Sequence, residues 1–101
     1  MAERIYPCSR GVVLSAINDI VELQKAKLSY SDTPHGKVNF FVTMYAFNWE
    51  LCFTVTDFGN KKSLVCLEVA GEELGKDDMV RRELFLLDAM LMHEGKEQEK
   101  A

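Results

Sequence analysis

The chain contains few of the residues from which catalytic and metal sites are usually built. Its 101 residues include three cysteines and two histidines. The CxxC, GxGxxG, GxxxxGK[ST] and HExxH patterns are all absent. We therefore expect no cofactor, no metal site and no catalytic residue, and an enzyme ranks behind the other classes of function. Cys8, Cys52 and Cys66 are expected to be reduced thiols.

Long hydrophobic runs and an excess of positive charge are also absent. The 12 Lys and Arg residues are outnumbered by 16 Asp and Glu residues, which gives a net charge of −4. No basic patch is therefore expected to bind nucleic acid. Residues 1–10 lack the apolar stretch of a signal peptide, and the longest uncharged stretch, 38–49, is too short to span a bilayer. These features predict a cytoplasmic protein without nucleic-acid or membrane partners.

The apolar content is sufficient for one hydrophobic core. Apolar residues make up 48% of the chain and charged residues 28%, as is typical of a globular domain and too apolar for disorder. A chain of this length does not supply a second core. We predict a single α+β domain over residues 1–94, followed by a flexible polar tail over residues 95–101.

Two helices are predicted, one near each end of the chain. Ser9 is expected to cap a helix over about residues 10–25, in which apolar side chains recur with helical spacing. A second helix is expected to begin near Asp77 and to end at Gly95. The core stripe of this second helix is predicted to be Val80, Leu84, Leu87 and Leu91.

Alternating side chains over residues 38–69, with a short strand at 27–31, predict three or four antiparallel strands. Turns at Phe47-Asn48 and at residues 58–60 then place apolar residues together on one inner face. The expected pairs are Ala46 with Trp49, Met44 with Leu51, Val42 with Phe53, Phe40 with Val55, Leu51 with Leu67, Phe53 with Val65 and Trp49 with Val69. Both helices are expected to cover this inner face, which gives a two-layer sandwich.

The same registers define an outer face of the sheet. Its members are Phe41, Thr43, Tyr45, Cys52, Thr54, Leu64 and Cys66, with Glu50 and Glu68 at one end. Cys52 is predicted to lie opposite Cys66, and Glu50 opposite Glu68. Antiparallel sheets tolerate mixed outer faces, but this one favours burial against a second copy, a partner or the N-terminal segment.

The leading functional hypothesis is a non-enzymatic protein-interaction or regulatory module that forms a homodimer. Apolar surface without accompanying chemistry is the feature that favours it. The second helix adds to this surface, because it is apolar on more than one side. The candidate interface residues are Phe41, Tyr45, Phe85 and Met92.

The alternative is a domain that binds a small apolar ligand. A curved antiparallel sheet that holds a C-terminal helix can leave an apolar cleft between the two layers. The candidate cleft residues are Phe40, Trp49, Phe53 and Met90.

Overall fold

The structure, a computed structural model, describes the backbone of residues 1–44 and 46–100 and the side chains of residues 1–44 and 46–92. Within these residues the chain forms two α-helices, one 3-10 turn and five strands. In chain order these are β1 Ala2–Tyr6, α1 Arg10–Leu23, β2 Lys27–Asp32, the 3-10 turn Thr33–His35, β3 Lys37–Met44, β4 Phe47–Asp57, β5 Ser63–Gly71 and α2 Lys76–Lys100.

The five strands form one antiparallel sheet in the order β1-β5-β4-β3-β2. Helix α1 packs over β3 and β4, and α2 packs beside it over β5. The predicted α+β two-layer sandwich is confirmed, with more strands in the described part of the chain than the sequence indicated.

Helix α1 begins where the sequence predicted and ends slightly earlier. The Ser9 hydroxyl accepts a hydrogen bond from the Val12 amide, which caps the first turn. At the other end Lys25 has a φ of 54°, and the Ala26 amide bonds to the Val21 carbonyl at 2.9 Å. This left-handed residue stops the helix at Leu23.

The inner face of the sheet is the centre of the core, as predicted. Phe40, Leu51, Phe53, Val65 and Leu67 are all completely buried. The rings of Phe40 and Phe53 stack with their centroids 6.0 Å apart. The buried side of α1 closes over them with Val13, Ala16, Ile17 and Ile20.

The predicted register between β3 and β4 is wrong, although the predicted faces are right. Met44 pairs with Phe47, so the hairpin turns before Phe47, with Ala46 in the turn, and not at Phe47-Asn48. The partner of Phe40 is Leu51 where Val55 was expected. The shift covers an even number of residues, and therefore every side chain keeps its face.

The register between β4 and β5 also differs from the prediction by an even number of residues. Phe53 pairs with Leu67 where Val65 was expected, and Leu51 pairs with Val69. The connecting loop is longer than the predicted turn, since the Phe58 amide bonds to the Lys62 carbonyl at 2.9 Å. Three consecutive residues with positive φ, Gly59, Asn60 and Lys61, complete this loop.

Strand β1 was not predicted, and it extends the sheet instead of covering its outer face. Ala2 pairs with Leu67 and Tyr6 with Ser63 on β5. Two side chains of β1 reach α2: the Arg4 guanidinium and the Tyr6 hydroxyl donate to the Asp88 carboxylate at 2.5 and 2.6 Å. The expectation that the N-terminal segment could bury the outer face is therefore wrong.

Helix α2 runs from Lys76 to Lys100 and continues beyond Gly95, where it was predicted to end. The division into a domain of residues 1–94 and a tail of residues 95–101 stays a prediction. The predicted core stripe is largely confirmed, with Leu84, Leu87 and Leu91 buried and Val80 partly buried. Met79 and Glu83 are buried on the same helix as well.

Candidate functional site

A cleft of about 480 Å³ lies between the β3–β4 hairpin and the first turns of α2. Its volume falls within the range of about 300–1,000 Å³ that is typical of small-molecule sites. The lining is Met44, Phe47, Trp49, Leu74, Gly75, Asp78, Met79 and Arg82. Most of these side chains are apolar, and the two charged ones lie on α2. We call this the Trp49 cleft.

The Trp49 side chain is held in place by the residues around it. Its indole Nε1 donates to the Glu72 carbonyl at 3.2 Å. The Phe47 ring contacts the indole edge to face, with centroids 5.9 Å apart and planes at 70°. A Cβ at Gly71 would lie 2.9 Å from the indole Cδ1, so the absence of a side chain there lets the backbone pass close to the ring. Trp49 is itself only 2% exposed, so the Phe47 ring, 43% exposed and fixed against it, supplies most of the accessible aromatic surface of the cleft.

Only one of the four predicted cleft residues lines this cleft. Trp49 does so, whereas Phe40 and Phe53 are completely buried in the core. Met90 is partly buried against the core further along α2. The two phenylalanines are closed off because α1 lies over β3 and β4.

Several residues of the cleft were missed by the sequence analysis. Met44, Met79 and Arg82 reach it only because α2 begins over the end of the β3–β4 hairpin, which no local pattern indicates. Only Leu74 could have been noticed in the sequence, because it is an apolar residue inside an otherwise polar loop. In the structure it is 79% exposed at the cleft.

A second pocket of about 250 Å³ adjoins the Trp49 cleft. It is lined by Gln24, Lys25, Ala26, Lys27, Phe41, Val42, Thr43, Met44 and Arg82. Met44 and Arg82 belong to the walls of both cavities. Three of the lining side chains are cationic and none is acidic, so we call this the cationic pocket.

The Arg82 guanidinium makes only long hydrogen bonds to described residues. Nη2 lies 3.4 Å from Gln24 Oε1, and Nη1 lies 3.6 Å from the Met44 sulfur. A guanidinium has five N–H donors and forms its strongest bonds with carboxylates and phosphates. Donor capacity therefore remains at the junction of the two cavities.

Glu83 is a buried carboxylate between α1 and α2. Oε1 accepts a hydrogen bond from Gln24 Nε2 at 2.6 Å. Oε2 has no hydrogen-bond partner among the described residues, and it lies 3.8 Å from Arg82 Nε. Burial raises the pKa of Glu83, and the Gln24 hydrogen bond and the Arg82 charge offset only part of that effect.

Glu83→Gln is expected to raise the free energy of unfolding at pH 8 by about 1–2 kcal/mol, since it removes a buried charge. The amide oxygen of the new side chain still accepts from Gln24. A carboxyl whose pKa is raised in the folded state binds more protons there than in the unfolded state. The stability of the wild type therefore rises as the pH falls through that window, and the advantage of the variant shrinks.

Urea unfolding of both proteins at pH 8 and pH 5 measures this effect. Glu22→Gln on the exposed side of α1 is the matched control, and it is expected to change stability by less than about 0.5 kcal/mol. A Glu83→Gln variant that is less stable than wild type at both pH values would show that the buried charge is net stabilising.

The predicted interface residues lie on two separate surfaces. Phe85 and Met92 are 70% and 64% exposed on α2, with the exposed Ala89 between them. These three residues form the α2 stripe. Phe41 is 41% exposed and lies on the outer face of the sheet, on the opposite side of the molecule. Tyr45 lies outside the described residues.

The outer face of the sheet is mixed in character. Both helices pack on the inner face, so no element of residues 1–44 and 46–92 covers the outer one. Cys52, Thr54, Leu64 and Cys66 are half-buried there by their neighbours in the sheet. Among the described residues the face mixes apolar and polar side chains, with the exposed Ile5 directly opposite Leu64.

The predicted pairing of Cys52 with Cys66 is wrong. Cys52 lies opposite Glu68, and Cys66 lies opposite Thr54. Diagonal neighbours of this kind are separated by about 7–8 Å, whereas a disulfide needs Cβ atoms about 3.5–4.5 Å apart. The two thiols are therefore not placed to form a disulfide with each other.

The predicted pairing of Glu50 with Glu68 is wrong for the same reason. Glu50 lies opposite Ala70, and its carboxylate accepts from the Ser29 hydroxyl at 3.1 Å.

The charges of Glu50 and Glu68 affect the Cys52 thiol. Burial, followed by the charges of Glu50 and Glu68, raises the pKa of Cys52. This thiol is therefore protonated and weakly nucleophilic at neutral pH.

Asp32 organises the turn that follows β2. His35 Nδ1 lies 2.7 Å from Asp32 Oδ2, which also accepts from the Tyr30 hydroxyl at 3.1 Å in an exposed turn.

In residues 1–44 and 46–92 no group of three or more His, Cys, Asp or Glu side chains is arranged to hold a metal ion. No helix in the described part of the chain combines the length and the apolar character needed to cross a membrane.

No protein-family model matches this chain, and a search of curated proteins finds no match.

Proposed function

We propose that the protein is a non-enzymatic interaction module that forms a homodimer through the α2 stripe. The observation that supports this is the exposure of Phe85 and Met92 at helical spacing on one side of α2. Large apolar side chains aligned on one face of a helix are typical of contact surfaces. The polar residues Arg81 and Asp88 flank the stripe and suit the rim of an interface.

The spacing of the stripe fits an antiparallel two-fold contact between two copies of α2. Phe85 and Met92 lie at equal distances along the helix from a point beside Ala89. A two-fold axis through that point places Phe85 against the partner's Met92, so that an aromatic ring meets a thioether sulfur. The small Ala89 side chain allows the two helices to approach closely at the axis.

The expected dimer is weak. A side chain such as Phe85 buries about 150–250 Å² when it is fully covered, whereas a standard interface buries about 800 Å² per partner. Self-association that depends on protein concentration follows from this size.

We place the protein in the cytoplasm, where the Cys52 and Cys66 thiols stay reduced.

Phe85→Glu is expected to convert the dimer to a monomer without loss of the circular-dichroism signal. A charge in place of the only aromatic ring of a small apolar contact removes its main stabilisation, while the side chain is too exposed to affect the fold. Light scattering at a protein concentration of about 100 µM measures the change in mass.

Phe41→Glu is the matched control, because it makes the same change on the outer face of the sheet. It is expected to leave the dimer intact. A wild type that is monomeric at this concentration contradicts the proposal. Dissociation by Phe41→Glu alone would instead place the contact on the outer sheet face.

Binding of a small apolar ligand in the Trp49 cleft is the second candidate. Its support is the cavity of about 480 Å³ with an aromatic wall. The cleft lies at the first turns of α2, away from the stripe at residues 85–92, so the two activities are compatible. A native mass spectrum distinguishes them, since a dimer without added mass supports the first and a bound adduct supports the second.

A further inference from the structure

We propose that the Trp49 cleft and the cationic pocket form one site for a small amphipathic carboxylate, with its apolar body against Trp49 and its carboxylate at Arg82. This inference rests on the second candidate function and adds the charge and the orientation of the ligand. A purely apolar ligand would use the cleft and leave the adjoining cations without a role.

The two cavities are adjacent and have two wall residues in common. Met44 and Arg82 line both of them. On one side of these residues the surface is apolar and aromatic, with Phe47 and Trp49. On the other side it is cationic, with Lys25 and Lys27. A ligand with one apolar end and one anionic end matches this division.

The charges around the cationic pocket favour an anion, although the chain as a whole carries a net charge of −4. Its lining contains Lys25, Lys27 and Arg82 and no acidic residue. Two carboxylates lie near Arg82. Asp78, in the cleft lining, is mostly exposed and lies 4.0 Å from Arg81. Glu83 is buried behind the guanidinium, with Oε2 3.8 Å from Arg82 Nε.

Arg82 has the geometry to bind a carboxylate. Its guanidinium is partly exposed, and its bonds to the Gln24 oxygen and the Met44 sulfur measure 3.4 and 3.6 Å. Charge-assisted N–H···O bonds to a carboxylate are shorter, at about 2.7–2.9 Å, and the planar fork can make two of them in parallel. A ligand carboxylate is therefore a better acceptor than the Gln24 oxygen and the Met44 sulfur, to which Arg82 makes its hydrogen bonds.

Titration with octanoate tests the proposal, with 1-octanol and octylammonium as comparators of equal chain length. The chain contains a single tryptophan, so Trp49 fluorescence reports directly on the cleft. We expect octanoate to bind at least tenfold more tightly than octanol, and octylammonium to bind most weakly. The factor of ten corresponds to one charge-assisted hydrogen bond of about 1.4 kcal/mol.

Arg82→Gln is expected to weaken octanoate binding about tenfold and to leave octanol binding unchanged. Arg81→Gln is the matched control, because that arginine is adjacent on the helix, 80% exposed and directed toward Asp78. It is expected to leave both affinities unchanged. Lys27→Gln, at an exposed position of the cationic pocket, is a second test and is expected to reduce octanoate binding by a smaller factor.

The outcomes separate this inference from the function on which it rests. Equal binding of octanoate and octanol, unaffected by Arg82→Gln, overturns the anionic ligand and leaves an apolar cleft. An unchanged Trp49 signal with all three compounds up to about 1 mM overturns both. An equal loss in Arg81→Gln and Arg82→Gln would mean that only general charge attraction is present, and this also overturns the proposal.

Discussion

Phe53→Ala is expected to lower the free energy of unfolding by about 3–5 kcal/mol. Phe53 is completely buried, pairs with Val38 and Leu67, and stacks on the Phe40 ring. Truncation leaves a cavity in the centre of the sheet, where neighbours on two strands and α1 cannot all move in. Domains of this size are stable by only about 5–15 kcal/mol, so urea melts will show a large shift in midpoint.

Phe58→Ala is the matched control for that experiment. Phe58 lies in the β4–β5 loop and is mostly exposed, so the same truncation is expected to cost less than about 0.5 kcal/mol. The assignment of the two sheet faces is also tested by Phe41→Ala. If that change unfolds the protein while Phe53→Ala does not, the inner and outer faces have been exchanged.

Gly36→Ala is expected to lower the free energy of unfolding by about 2–4 kcal/mol. Gly36 follows the 3-10 turn with a φ of 68°, and a Cβ there would lie 2.2 Å from the Val55 carbonyl oxygen. The carbonyl belongs to β4 and cannot rotate away. The Val55 amide also bonds to the Gly36 carbonyl at 2.7 Å, so any shift weakens the link between this turn and the sheet.

Gly59→Ala separates the two causes of that loss. Gly59 has a φ of 80°, but no atom lies within 4 Å of the position of its Cβ. Its substitution therefore costs only the left-handed backbone conformation, about 1–2 kcal/mol. Thermal or urea unfolding of both variants gives the difference. Equal losses at the two glycines would contradict a steric contact between position 36 and Val55.

The layer structure could be predicted from the sequence because alternation depends only on whether a residue number is odd or even. Phe40, Phe53 and Leu67 share a face in the predicted and in the observed registers alike. The register itself depends on the turns, and neither turn has an Asn-Gly or Asp-Gly pair. Ala46, with a φ of 67°, adopts a turn conformation that its residue type does not indicate.

Neither strand β1 nor the Trp49 cleft could be predicted from the sequence, and the physical reason differs between the two. In β1 the usual pattern is reversed, since Arg4 lies on the helix side and Ile5 is exposed on the outer face. The cleft depends on where α2 begins relative to the β3–β4 hairpin. The relative position of these two elements is set by tertiary packing, which hydrophobic periodicity does not report. The sequence analysis therefore assigned Phe40 to the cleft, whereas α1 covers it in the structure.

The position of β1 also determines the order in which the fold can be completed. Ala2–Tyr6 is synthesised before the other strands of this sheet, whereas its partner Ser63–Leu67 and its anchor Asp88 follow more than 55 residues later. Contacts between distant parts of a chain form late, because closing the long intervening loop lowers the chain entropy before the new contacts stabilise the closed form. One edge of β5 thus stays open until β1 pairs with it, and for that interval the nascent sheet presents an unpaired edge to other chains.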